Sequence, residues 1–222
     1  MASSGTYTYS PAFDDIIVEA WERCGKHEES MDGGKLRSAK RSLQLAMIDW
    51  TARGLNLWQV DLVTAVLVAG TATVATAYPT VDVLDVYVTI TAGNDRTLAP
   101  ISRDEYAAIT NKTTQSVPTQ YWSERANPAP ILHLYPVPDS GYTLSYHRIR
   151  MPQDVSLFTQ TPDAPVLWTE ALIAELAQRL AVKFAPERLG VLQGEAARTF
   201  ANASGENRER VPLTIMPALD GY

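Results

Sequence analysis

The residues that could carry out chemistry are sparse in this sequence, and the histidines are the first candidates. His133 and His147 lie in the runs ILHLYPVP and YTLSYHRIR, which the PDSG turn could join as an antiparallel hairpin. Cross-strand pairing would bring the two imidazoles together, an arrangement that resembles half of a zinc site. No HExxH, CxxC or HxH spacing supplies further ligands. We therefore interpret both histidines as sheet-surface residues and expect neither a metal nor another cofactor.

Nucleophilic and carboxylate chemistry has equally little support. The sequence has no GxSxG elbow, no GxxxxGK[ST] loop and no GxGxxG fingerprint. Its single cysteine, Cys24, falls on the apolar face of a predicted helix, where a buried, inert thiol is expected. Two carboxyl groups across a cleft could cleave a glycosidic bond. The paired carboxylates that could do so are Asp14/Asp15, Glu28/Glu29, Asp104/Glu105 and Glu170/Glu175. Helix capping and solvated helix faces explain them with fewer assumptions, so we predict no catalytic residue and no enzyme activity.

Charge and composition limit the classes of partner. The 222 residues carry a net charge of −6, which argues against a general nucleic-acid binder driven by release of phosphate counterions. The N-terminus has no signal-peptide pattern, and the longest apolar run, LVTAVLVAGTATVATA, is typical of strands and not of a membrane helix. We expect a soluble protein made in the cytoplasm. The densest positive stretch, KLRSAKR, contributes Lys35, Arg37, Lys40 and Arg41, interpreted as an exposed helix face or a contact with phosphate or an acidic neighbouring subunit.

Helical periodicity marks both ends of the chain. Near the N-terminus, SPAFDDIIVEAWERCGK predicts a helix with Ser10 as its N-cap, and KLRSAKRSLQLAMIDWTARG predicts a second helix that stops at Gly54. Near the C-terminus, DAPVLWTEALIAELAQRLAVKF and PERLGVLQGEAARTFANA predict two more. Each helix has one apolar face and needs a partner to bury it.

Between these helices the apolar period changes to two. The runs LWQVDLVTAVLV, VDVLDVYVTIT and YTLSYHRIR are rich in β-branched residues and tyrosine. One short helix interrupts them at SRDEYAAI, where Ser102 and Glu105 form a capping box. We predict an α+β fold, a helical bundle from both chain ends with an inserted antiparallel β-rich module and an extended C-terminal tail. The segments are 1–54 and 155–204 for the bundle, 55–154 for the β module and 205–222 for the tail.

The closing segment, GENRERVPLTIMPALDGY, is unusually apolar for a chain end. Burial of its few apolar side chains on its own subunit would not offset the backbone entropy lost on ordering so many residues. A partner that also bonds its backbone, as an added strand or an extended peptide in a groove, would do so. The prolines at 212 and 217 keep the segment from becoming a helix. We therefore expect this segment to bind another protein.

Several phrases, taken in order along almost the whole chain, resemble the head-to-tail adaptor (connector, or tail accessory) proteins of short-tailed bacteriophages. They are LNLWQVD (55–61), VDVLDVYVT (81–89), ISRDEYAAITNK (101–112), PTQYWSER (118–125), LHLYPVPDSGYTLSYHRIRMPQD (132–154), PVLWTEALIAELAQRLAVKFAPER (165–188) and RERVPLTIMP (208–217). None of these phrases is a catalytic signature.

The resemblance implies a virion protein at the head-tail junction. It implies a homo-oligomeric ring, usually of twelve subunits, beneath the portal protein, through which DNA passes without sequence-specific binding during ejection. It also implies that the C-terminal segment docks on the portal and that the β module receives a tail nozzle or stopper protein. Carried onto this sequence, the portal-docking residues are Arg210, Val211, Leu213, Ile215, Met216, Leu219 and Tyr222.

Two alternatives stay open at this point. One is a virion-associated cell-wall (peptidoglycan) hydrolase, which would need a carboxylate pair in a cleft. The other is a carbohydrate-binding β module, in which Tyr121, Trp122, Tyr142 and Tyr146 would serve as stacking platforms.

Overall fold

A computed structural model describes residues 5–6, 8–54 and 57–206, and within them the chain forms two compact units. One unit contains residues up to Ala46 and from Leu157 onward, and the other is Met47–Ser156. The helices are α1 (Phe13–Arg23), α2 (Gly33–Ala52), α3 (Arg103–Ala108), α4 (Thr169–Phe184) and α5 (Leu189–Glu206). The strands are β1 (Val60–Val66), β2 (Thr73–Ala75), β3 (Thr80–Thr91), β4 (Asn94–Thr97), β5 (Ala99–Pro100), β6 (Gln120–Glu124), β7 (Ile131–Tyr135) and β8 (Thr143–Arg150). The predicted α+β class is confirmed.

The helical unit is organised around α4, which contacts both α1 and α5. Leu172, Leu176 and Leu180, one apolar row of α4, are fully buried. Edge-to-face ring contacts add to this packing, with the Trp21 and Phe184 ring centroids 5.3 Å apart. Each large apolar side chain buried here contributes about 1.5–3 kcal/mol to the free energy of folding.

The start of α1 differs from the sequence prediction. The helix begins at Phe13, its N-cap residue is Ala12, and Ser10 provides no cap. Carbonyl groups from the far end of the chain take over this role, since the amides of Phe13 and Asp14 donate to the carbonyls of Gln160 and Phe158. A cap supplied by a segment so distant in the sequence leaves no local signature. The predicted C-terminal end of α2 is confirmed, because Gly54 lies two residues past Ala52 with a φ of +83°.

The β-rich unit consists of two four-stranded sheets. Their strand orders are β1-β8-β3-β4 and β2-β7-β6-β5. A core of buried residues from both sheets includes Val86, Val88, Leu132, Leu134 and Tyr146. Every described pair of strands is antiparallel except the short β5–β6 pair, which is parallel. The remaining helix of this unit, α3, begins with the predicted capping box: the Glu105 amide donates to Ser102 Oγ, and the Ser102 amide donates to the Glu105 carboxylate.

The predicted hairpin of β7 and β8 is wrong, because the two strands belong to different sheets. His133 faces Trp122 and Thr73 across its sheet, whereas His147 faces Leu62 and Asp85 in the other. The PDSG stretch carries the chain from one sheet to the other instead of reversing it. Residues before the turn bind elsewhere: the Val137 amide donates to the Thr114 carbonyl.

Replacement of Leu176 by alanine should lower the free energy of unfolding by about 2–5 kcal/mol, because it leaves a cavity in the row that α1 and α5 cover. Val182→Ala, on the exposed side of the same helix, should change it by less than about 0.5 kcal/mol. Urea unfolding followed by circular dichroism measures both values. Equal effects of the two substitutions would contradict this description of the core.

Candidate functional site

The strongest carboxylate cluster surrounds Arg23 in the helical unit. Its guanidinium group lies 2.9 Å from carboxylate oxygens of Glu19, Glu170 and Glu195, which places one cation among side chains of α1, α4 and α5. The hydrogen bonds with Arg23 lower the pKa of Glu170, and the same bonds raise the pKa of Arg23. A catalytic acid needs a raised carboxyl pKa. The lowered pKa of Glu170 is therefore that of a carboxylate in an ion pair, and the cluster links three helices.

An open groove of about 930 Å³ lies beside this cluster, between the N-terminal segment, α1 and α4. Its carboxylates are those of Asp15, Glu19 and Glu170. Asp15 accepts the Ala12 amide at 3.2 Å, and the other two bind Arg23. Each carboxylate of the groove is thus engaged in an internal bond, and none of these contacts resembles an acid–base pair.

The other carboxylates that the sequence pointed to are separate from one another. Glu175 is buried and pairs with Arg179 at 2.8 Å, so it does not act with Glu170. Glu28 and Glu29 are exposed in a short 3-10 turn. Asp104 and Glu105 lie in the first turn of α3, where the Ser102 amide lowers the pKa of Glu105. Glu28, Glu29, Asp104 and Glu105 thus match the capping and solvated-face interpretation, whereas Glu170 and the buried Glu175 do not, because each pairs with an arginine.

The histidines and the cysteine occupy structural positions. His133 Nε2 lies 2.7 Å from Glu124 Oε2, and its ring stacks on Trp122 with centroids 4.6 Å apart. His147 lies beside Tyr87 in the other sheet. Burial raises the pKa of the Cys24 thiol, which lies 3.4 Å from the Ala177 carbonyl oxygen. Among the residues that the structure describes, no group of three or more His, Cys, Asp or Glu side chains could hold a metal ion.

The four aromatic residues considered as sugar platforms do not share a surface. Tyr121 and Tyr146 are buried in the core between the sheets. Tyr142 donates a hydrogen bond from its hydroxyl to Asp139 at 2.6 Å. Trp122 is half-buried between His133 and Tyr106, the second of which lies on α3. The alternation of side chains along a strand sends residues 121 and 122 to opposite faces, so this grouping is wrong.

The basic residues of α2 divide into two kinds. Lys35 bonds within its own subunit, since its amine donates to the Ser30 carbonyl and pairs with Asp32. The Lys40 amine lies 5.3 Å from the centroid of the Phe158 ring. Arg37 and Arg41, one turn apart, are exposed.

Lys183 of α4 extends this basic surface, and the sequence interpretation missed it. Its amine donates to Ser42 Oγ at 2.6 Å and to Ser38 Oγ at 3.1 Å, so it crosses to α2. Burial and the nearby charge of Arg41 lower the pKa of Lys183. The only signal in the sequence was a basic residue in the last turn of a predicted helix, which helix polarity alone explains.

The predicted portal-docking residues, Arg210, Val211, Leu213, Ile215, Met216, Leu219 and Tyr222, lie outside the described residues. The last described element before them is α5, which ends at Glu206. Their assignment stays a prediction.

Replacement of Arg23 by methionine should lower the free energy of unfolding at neutral pH by on the order of 1–3 kcal/mol, because three carboxylates lose one shared cation. The lowered pKa of Glu170 implies a stabilisation present above the carboxyl's ordinary pKa of about 4.3 and lost as the pH falls through its lower folded value. The difference between the variant and the wild type should therefore shrink with acidification.

Urea unfolding between neutral and acidic pH measures this difference. Arg37→Met on the exposed face of α2 is the control, and we expect it to change the free energy of unfolding by less than about 0.5 kcal/mol. A difference that is constant with pH would show that Arg23 acts by packing alone.

No helix in the described part of the chain is both long and apolar enough to cross a membrane. A search of the curated proteins gives no match for this chain. Comparison with protein families gives a match to the SU10 adaptor protein family over residues 12–216. That range includes most of both segments of the helical unit and the whole β-rich unit. The chain therefore belongs to the SU10 adaptor protein family, in agreement with its resemblance to head-to-tail adaptors of bacteriophages.

Proposed function

We propose that this protein is a structural component at the head-tail junction of a phage particle, where copies form a ring beneath the portal and present a surface for tail proteins. The observation that carries the proposal is the extent of the family match, which runs through residue 216 and so continues ten residues past the end of α5. Residues 205–216 of the closing segment thus belong to the part of the chain that the family shares.

The closing segment is assigned to the portal. Five of the seven predicted docking residues, Arg210, Val211, Leu213, Ile215 and Met216, lie within the family match, whereas Leu219 and Tyr222 lie beyond it. Ordering this segment requires backbone hydrogen bonds in addition to apolar burial. A portal surface that receives it as an extended peptide would supply both.

The ring requires two different surfaces on each subunit, because a head-to-tail arrangement never pairs a surface with itself. We assign Arg37 and Arg41, together with Lys183, to one of these surfaces, facing carboxylates of a neighbouring subunit. The net charge of −6 on each copy favours a negative channel, through which DNA would slide without being held. The β-rich unit would then face the nozzle or stopper protein.

The hydrolase alternative receives no specific support. The carboxylates in the groove beside α1 and α4 hold amides and Arg23, and a lowered pKa at Glu170 is the opposite of what a catalytic acid needs. A peptidoglycan-clearing assay with Glu170→Gln compares the two functions directly. We expect no clearing by either the wild-type or the variant protein.

Deletion of residues 206–222 should leave a folded, soluble protein that no longer joins the portal. The reason is that the helical unit and the β-rich unit have their cores within the remaining residues. Thermal unfolding checks the fold, and co-sedimentation with purified portal rings checks binding. The full-length double variant Leu213→Asp with Ile215→Asp is the matched control for chain length, and it should fail to bind as well. Truncated protein that co-sediments at the wild-type level would refute the assignment.

Replacement of both Arg37 and Arg41 by glutamate should prevent ring formation on the portal, because it places like charges at the subunit contact. The matched control is the double variant Arg96→Glu with Arg103→Glu, which reverses two exposed charges in the β-rich unit and should leave the ring intact. Negative-stain imaging of each variant mixed with portal reads out the ring. Normal rings from the Arg37→Glu, Arg41→Glu variant would remove these arginines from the subunit contact and leave an exposed helix face or a contact with DNA phosphate as the interpretation.

A further inference from the structure

The edge strand β1 is open to pairing with a further strand. Among the strands that the structure describes, it lies at the end of its sheet and pairs, along all seven of its residues, with β8 alone. In contrast to many edge strands, it has no proline, lysine or bulge to discourage pairing. The opposite edge, β4, is short and fully exposed, with the sequence NDRT and a register shift in its pairing with β3. The two edges of one sheet are therefore unequal.

The direction of the free backbone groups on β1 follows from its register. The Leu67 amide donates to the Tyr142 carbonyl at 2.8 Å, immediately beyond the paired residues Val66 and Thr143. Bonded and non-bonded pairs alternate along an antiparallel ladder. The backbone groups of Leu62, Thr64 and Val66 consequently point away from β8, toward the open edge.

The same residues carry exposed side chains. Leu62 is 52% exposed and Val66 is 77% exposed, and Thr64 between them is exposed too. An added strand would thus meet backbone donors and acceptors together with an apolar face. Both are what an extended apolar peptide needs when it binds a sheet edge.

One segment of this chain has apolar residues at alternate positions, as a strand that binds this edge requires. In VPLTI, residues 211–215, the apolar Val211, Leu213 and Ile215 alternate with Pro212 and Thr214. Proline has no amide to donate, so Pro212 must point its backbone outward from any strand that it joins. Val211, Leu213 and Ile215 are then the residues that bond to the edge. Residues bonded directly opposite each other project their side chains to the same face. The three apolar side chains would therefore lie beside the exposed Leu62 and Val66.

We propose that, in the absence of the portal, residues 211–215 of one copy bind as an added strand to the β1 edge of a second copy. Each copy has one donor segment and one acceptor edge, so the contact is head-to-tail and brings subunits together before the portal is met. It also covers the edge that would otherwise aggregate. When the portal is present, it competes for the same segment. This contact goes beyond portal docking and does not depend on it.

Cysteine cross-linking in the full-length chain tests the contact. Leu213→Cys is combined in turn with Leu62→Cys, Thr64→Cys or Val66→Cys, since the register between copies can shift by two residues. We expect one combination to give disulfide-linked dimers and higher oligomers without portal, in a yield on the order of tenfold above that of the control.

The control combines Leu213→Cys with Thr97→Cys on β4. Thr97 lies in one cross-strand row with Tyr87, Ser145 and Thr64. It is therefore a threonine on the same face of the sheet as Thr64, at the opposite edge. Equal yields from the two edges, no link at all, or a link within one chain would each overturn the proposal.

Proline substitution tests the phase of the strand without cysteines. Leu213→Pro removes an amide that must bond to β1, whereas Thr214→Pro removes one that points outward. Sedimentation velocity without portal should show self-association lost in the first variant and retained in the second. Loss in both, or in neither, would exclude the added strand. Portal co-sedimentation is measured separately, so a failure of portal docking is distinguished from a failure of this contact.

Discussion

The apolar face of α4 is the constraint on which the helical unit depends. Leu172, Leu176 and Leu180 cannot be left in water, and the helices that cover them are α1 and α5. Covering this face brings α1 and α5 together on α4. The residues between α2 and α4 are consequently an insertion in the helical unit. The two sheets meet this requirement because their strands form a core of their own.

Charge reinforces the arrangement that apolar burial sets up. Arg23 joins carboxylates from α1, α4 and α5, and Lys183 crosses from α4 to two serines of α2. Both links are polar contacts between helices that are distant in the sequence. The pKa of Glu170 in the first link is lowered, whereas a catalytic acid needs a raised carboxyl pKa. Both links therefore hold helices of the unit to one another.

The helices and the strand-rich region could be predicted from the sequence, whereas the pairing of β7 with its neighbours and the contacts between distant helices could not. Helical stripes such as Leu172, Leu176 and Leu180 and the Ser102–Glu105 capping box are local patterns, and the structure confirms them. The pairing of β7 with β8 failed because neighbouring strands usually pair, and nothing local shows that the chain changes sheets between them. The cap of α1 and the position of Lys183 depend on residues more than a hundred positions away. The portal-docking residues, Arg210 among them, lie outside the described part of the chain, so their assignment stays a prediction.

The carbonyl cap of α1 has a consequence for the order of events during synthesis. Phe158 and Gln160, which accept the amides at the start of α1, leave the ribosome only after every strand of both sheets has been made. The first helix therefore emerges long before its own terminus can be satisfied or its apolar face covered. We expect the sheets to mature first and the helical unit to close last, so that a nascent chain passes through a stage with its first helices unburied.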